Sequence, residues 1–295
     1  MNEFGRYHPI VNFAYFAFAI IFSCIYMHPA ALAISLCTAL GCSAAERGVR
    51  QLKKSLAYIA PTALLAAVIN PAFSHAGVTI ITYLPSGNPL TLESICYGLA
   101  AAAMIASVML FFGCLTEIIT SDKLIYFFGR ILPSLSLLLS MTLRFVPRFA
   151  EQFAQVSRTQ KCLGRDMSHG GIFSRARSAL SVLSVMVTLS LENSADTADS
   201  MHDRGYGLPG RTAFSIYKFS KRDAAALAFT LGAAAYVIIG TAHNAMQYTY
   251  FPSFNTAEIS PYGISVFAAY FALLSLPVII EISEVIKWKY TTSKI

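Results

Sequence analysis

Long apolar runs separated by short polar breaks dominate this chain. Six of them, at 10–27, 29–45, 55–72, 92–118, 224–242 and 263–286, are each about long enough to cross a ~30 Å hydrocarbon layer once tilt is allowed, the second being the shortest fit. The pattern predicts membrane helices at all six. The fourth and fifth are separated by residues 121–222, too long a stretch for an ordinary connection. Three regions follow: an N-terminal membrane region at 1–120, a middle block at 121–222, and a C-terminal membrane region at 223–295 with two spans.

Two further apolar stretches lie inside the middle block. Residues 124–147 carry Arg130, Pro133, Arg144 and Pro147, and residues 178–193 are rich in serine. Each is long enough to span, and as a hairpin they would leave the side of every later loop unchanged. The reading preferred is a pair of long helices, partly in the inner leaflet, whose polar ends descend into the cytosol. The loop 73–91 has Pro and Gly turn signals around the β-branched run at 77–84, which predicts a short outer hairpin or re-entrant turn.

Composition sharpens the picture. Of the 295 residues 56% are hydrophobic and 13% charged, against roughly 25% charged in a soluble globule, so the fold class expected is an all-α integral membrane protein. The opening MNEFGRYHP has one arginine, and no small-residue cleavage site follows the first apolar run, which is therefore expected to be retained.

The formal charge of +7 raises the question of nucleic acid, and its distribution answers it. With the N-terminus inside, all 22 Lys and Arg residues fall on inner segments, and the outer segments 27–29, 73–91 and 243–262 have none. Retention of basic residues on the cytoplasmic side accounts for that asymmetry, so both termini are expected in the cytoplasm and nucleic acid is not expected as a partner.

Catalytic and cofactor chemistry finds little support. No G-x-x-x-x-G-K-[ST] phosphate loop occurs, and GCSAAERG at 41–48 lacks the lysine, so the chain is not expected to bind ATP or act as an enzyme. Glu117 and Glu281 sit near cytoplasmic span ends and Glu93 at the outer edge, where membrane-edge solvation is the expected account. His28, His75 and His243 share no H-x-x-x-H spacing, and the six cysteines at 24, 37, 42, 96, 114 and 162 are scattered without a metal pattern. The cysteines are expected to be packing residues; no cofactor or metal is predicted.

Two predicted helix ends carry more information. Between Leu191 and Gly207, the residues Glu192, Asp196, Asp199 and Asp203 form an acidic stripe at helical spacing, and Leu191, Ala195, Ala198 and His202 form a second, mostly small or apolar one. Arg204 falls in the last turn, Gly205 or Gly207 suits the stop, and Pro209 prevents resumption. One reading is a solvated helix with an ordinary C-cap; the other is an arginine fixed at a protruding tip that docks in a groove of a soluble partner. A second tip is predicted at 147–166, with Pro147 at its start, Phe149, Phe153, Val156 and Leu163 on one face, and Gly164 at its stop.

At these residues the chain resembles the T component of energy-coupling factor (ECF) transporters. The resemblance runs through HP at 8–9, NPAFSHAGVT at 70–79, YLPSGNPLTLESICYG at 83–98, LRFVPRF at 143–149 and TADSMHDRGYG at 197–207, the last being the most specific. It implies a transmembrane coupling subunit in which two helices end in arginine-centred motifs, each inserted into a groove of one of two ABC-type ATPase subunits. It further implies a small substrate-binding membrane (S) subunit that selects a vitamin, a transition-metal ion or another micronutrient.

Asp203, Arg204 and Gly205 match the second motif. The first motif usually reads A-R-G, and here Cys162, Leu163 and Gly164 stand in its place, leaving Lys161 or Arg165 to supply the charge, or a mostly apolar contact. The alternatives are a secondary transporter, expected to show inverted repeats and buried charge, and a conventional ABC permease, whose E-A-A, glycine, I-x-L-P coupling loop is only faintly echoed by Glu151 and Gly164.

Overall fold

The computed structural model describes residues 3–74, 76–83, 89–131, 133–164, 171–206, 217–256 and 260–292. His75, Arg165, Gly207 and Pro209 lie outside them. In chain order the elements are α1 (Pro9–Ile25), α2 (Pro29–Arg47), α3 (Val49–Phe73), β1 (Ile80–Tyr83), β2 (Pro89–Thr91), α4 (Leu92–Ile118), α5 (Ser121–Ile131), α6 (Pro133–Cys162), α7 (Ile172–Asp203), α8 (Lys221–Ala242), β3 (Tyr248–Thr249), β4 (Asn255–Thr256) and α9 (Pro261–Thr292). They fall into two compact units, Met1–Leu124 with Tyr217–Ile295, and Ile125–Ile216.

Among the described residues, α2, α3, α4, α7, α8 and α9 are long and apolar enough to cross a membrane. This set differs from the expected one at two places. The 17 residues of α1 reach only about 26 Å at 1.5 Å per residue, and α7, expected mainly as a coupling helix, has an apolar first half that qualifies.

In the first unit α4 packs on α1, α2 and α3, while α9 packs on α2 and α8. Its core is aromatic and aliphatic: Phe4, Tyr15, Phe16, Phe111, Tyr270, Leu273 and Leu274 are almost fully buried. Hydroxyls inside such a bundle must find partners, because no water competes for them. Tyr15 Oη donates to Leu274 O at 2.8 Å, Ser35 and Tyr270 pair at 2.6 Å, and Tyr26 pairs with Thr241 at 2.7 Å. Helix α3 exposes Leu64, Leu65, Val68 and Ile69, the surface expected of a helix facing lipid.

Two helices start with the same device, a His-Pro pair. Pro9 and Pro29 open α1 and α2, and His8 Nδ1 and His28 Nδ1 accept from the amides of Ile10 and Ala30 at 3.3 and 3.1 Å. The backbone amide of His8 also donates to Asp223 Oδ1 at 3.0 Å, and Asp223 forms a capping box with Ser220 at the head of α8. One carboxylate therefore joins the starts of α1 and α8. Nearby, Lys123 Nζ donates to Gly5 O at 2.6 Å; burial holds this ammonium down to about 8, partly offset by Glu46.

The loop between α3 and α4 forms a hairpin: β1 pairs antiparallel with β2, with Ile80 opposite Thr91 and an irregularity before Thr82. Glu93 is 1% exposed and bound to Thr79, Oε1 accepting from Oγ1 at 2.8 Å and from the amide at 3.2 Å. It is thus a clamp between hairpin and α4, correcting the membrane-edge solvation expected for it. Gly77, at φ +146°, leaves room for this carboxylate, because a Cβ there would sit 2.6 Å from Glu93 Oε2. Glu117 is held by Arg47 Nε at 3.0 Å, and Glu281 accepts from Glu3 N at 3.1 Å.

In the second unit α6 packs on α7. Pro147, expected at a helix start, lies inside the continuous α6, which begins at Pro133. The apolar residues before Pro147 are already helical, so the proline only removes one hydrogen bond from the ladder.

Candidate functional site

Both long helices of the second unit end in the same way. After α7 the chain turns left-handed at Gly205, φ +71°; Gly205 N donates to His202 O at 2.9 Å and Tyr206 N donates back to Met201 O at 3.1 Å. This is a Schellman stop, with Arg204 at the C-cap. After α6 the left-handed residue is Gly164, φ +79°, and its amide donates to Lys161 O at 3.0 Å. Cys162, Leu163 and Gly164 therefore occupy the same three positions relative to their helix as Asp203, Arg204 and Gly205. Leu163 is 67% exposed, Lys161 and Cys162 are exposed, and Arg204 is exposed with no ion pair among the described residues.

The two tips are not brought together. Gly164 borders a cavity with Ser174, Arg177 and Ser178 from the start of α7, whereas Arg204 borders another with Met141, Arg144, Phe145 and Arg148 from the middle of α6. The helices thus run antiparallel, and the 15 residues from Arg148 to Leu163 place the tips roughly 22 Å apart along α6.

The cavity at Arg204 has a volume of about 400 Å³ and is lined by three guanidinium-bearing residues, Arg144, Arg148 and Arg204, with Asp196 as the acid on its wall. Arginines at that density favour an anionic partner and can bind carboxylates in bidentate fashion. Sequence reasoning noted Arg144 only as a charge within an apolar stretch and gave neither it nor Arg148 a role beside Arg204. Their spacing of four on one helix, within the LRFVPRF stretch, is the signal that could have found them.

The seam between α6 and α7 is mixed, with Val182 fully buried beside polar side chains, and many of the large apolar residues face outward. Gln152, Gln160, Ser190, Asn193 and Thr197 are buried or half-buried, while Phe149, Phe153, Leu163, Phe173, Leu180, Leu183 and Leu191 are exposed. The stripe Leu191, Ala195, Ala198 and His202, read as one face of the helix, is exposed throughout; the packed face is instead Ser190, Asn193, Thr197 and Met201. An outward apolar face of this kind belongs against lipid or another protein.

Of the three outer-loop histidines, His28 is a helix cap and His243 closes α8, while His75 lies outside the described residues. The grouping of metal-type side chains found among the described residues is instead Cys42, Glu46 and Cys114, in the first unit.

Six apolar helices of spanning length and a long helical hairpin with two glycine-stopped tips define an all-α integral membrane protein. In sequence, the chain is similar to the ECF transporter transmembrane protein EcfT of Lactobacillus helveticus, 33% identical over 96 residues, which are 32% of this chain and 35% of that protein. It is similarly related to EcfT of Exiguobacterium sibiricum, 34% identical over 90 residues, covering 30% of this chain and 34% of that one. An uncharacterised protein of Mycoplasma pneumoniae is 28% identical over 164 residues, 52% of this chain and 38% of its own. The chain thus spans about a third of the length of the curated relatives it matches. No family model matches it.

Proposed function

We propose that this chain is the transmembrane coupling (T) subunit of an ATP-driven ECF-type uptake transporter for a micronutrient such as a vitamin or metal ion. The observation that carries the reading is the repeated helix stop: two long helices each end at a left-handed glycine and project the preceding residue, Arg204 in one and Leu163 in the other. Similarity to EcfT proteins supports the same conclusion.

On this reading the chain itself hydrolyses nothing. Two ABC-type ATPase subunits each receive one tip: Asp203, Arg204 and Gly205 form one contact, and Lys161, Cys162, Leu163, Gly164 and Arg165 the other. Closure of the ATPase pair on ATP draws the tips together, and the helices pass that motion to a small substrate-binding membrane subunit. The substrate is chosen by that subunit. Both termini and both tips lie on the cytoplasmic side, in keeping with the placement of all 22 basic residues.

Truncating a charged anchor buried at an interface costs about 2 to 5 kcal/mol. Arg204→Ala is therefore expected to release or uncouple the ATPase subunits while the membrane region stays folded. Co-purification of ATPase subunits, together with substrate uptake, tests this; wild-type levels of both would refute the assignment.

A further inference from the structure

Cys42 and Glu46 lie one helical turn apart on α2, and so project from one face toward α4, where Cys114 meets them. The two sulfurs and a carboxylate oxygen all lie within 4.8 Å of one another, against roughly 3.8 Å between two thiolates that share one zinc ion. The cluster is sealed: Cys42 and Cys114 are fully buried and Glu46 is 7% exposed.

Glu46 is the informative member. Neither of its oxygens makes a hydrogen bond of sound geometry, and its nearest polar neighbours are thiols, which are weak donors. A buried carboxylate in that position is costly unless it is paired or coordinates a metal. The surroundings carry compensating charge. The Arg47 guanidinium lies over Gly113 beside Cys114, and Lys123 acts on Glu46 from α5. Of the other acids, Glu117 is held by Arg47 and Glu281 by the amide of Glu3.

We infer that Cys42, Glu46 and Cys114 form a three-ligand zinc(II) site that ties α2 to α4. The donor set, two thiolates and a carboxylate, suits a borderline-soft ion of tetrahedral habit, and a water held beside the buried Ser43 completes the fourth position. On binding, the two thiols and the buried Glu46 carboxyl release their protons to water, and all three coordinate as anions. The bound ion with its three anionic ligands carries a net charge of about −1, close to the Lys123 ammonium and to the Arg47–Glu117 pair. The site rests on none of the transport assignments, since its ligands lie in the first unit and the tips in the second.

The test uses the full-length protein purified in detergent without chelators. Elemental analysis is expected to find about one zinc per chain. Glu46→Gln and Cys114→Ser should each lower this to about a tenth or less, while Cys37→Ser, at an exposed thiol, leaves it unchanged. Because the ligand variants can fail to fold, the wild-type protein is also stripped and titrated with cobalt(II). A thiolate-to-cobalt charge-transfer band that zinc abolishes is the expected result. Absence of both zinc and that band, or a disulfide between Cys42 and Cys114 in the protein as isolated under reducing conditions, would overturn the proposal.

Discussion

Arg204 and Leu163 stand at chemically different but geometrically matched positions, each the last residue before a left-handed glycine. Reversed hydrogen bonds at the stop fix the direction of the backbone, so the side chain leaves a tip of defined orientation. The two tips differ in what they offer: a guanidinium beside Arg144 and Arg148 in one, and an exposed aliphatic side chain in the other. If both dock, Leu163→Arg should keep or raise the amount of ATPase that co-purifies; loss of assembly would show that position 163 does not sit in a groove shaped for arginine. Gly205→Ala forces a Cβ into left-handed backbone at a cost of about 1 to 2 kcal/mol. Faster amide hydrogen exchange at 201–206 and weaker ATPase retention are expected, with the unfolding temperature of the membrane region unchanged.

At the scale of elements, the first unit is held by polar contacts at helix ends as much as by its apolar core. Asp223 caps α8 and binds the amide that precedes α1, so Asp223→Ala should lower stability by about 1 to 2 kcal/mol, read as a lower melting temperature in detergent. The helices and the outer hairpin were legible in the sequence, because apolar runs, turn residues and glycine stops act locally. Which face of α7 packs was not. Periodicity marks an apolar stripe but does not say whether it meets protein or lipid, and here Leu191, Ala195 and Ala198 face outward while Asn193 and Thr197 line the seam. Glu93 and the Cys42, Glu46 and Cys114 cluster were illegible for a related reason. Their partners come from residues 14 or more positions away, and only the packing of α4 against the hairpin and against α2 brings them into reach. Arg144 and Arg148 were readable as an i, i+4 pair, yet they gain meaning only with Arg204 on the same cavity wall.

On the proposed function, the two helices of the second unit, each roughly 45 to 48 Å long, are the stiff parts that pass on force. The outward apolar residues of α6 and α7 are surfaces suited to lipid or protein, and the arginine-lined cavity suits an acidic group. On the proposed function, position 204 touches an ATPase subunit inside the cell. A photo-crosslinking amino acid in place of Arg204, irradiated in intact cells, should yield an adduct containing an ABC-type ATPase subunit. Labelling of the same position by a membrane-impermeant reagent added outside those cells, with no ATPase adduct, would contradict both the orientation and the mechanism.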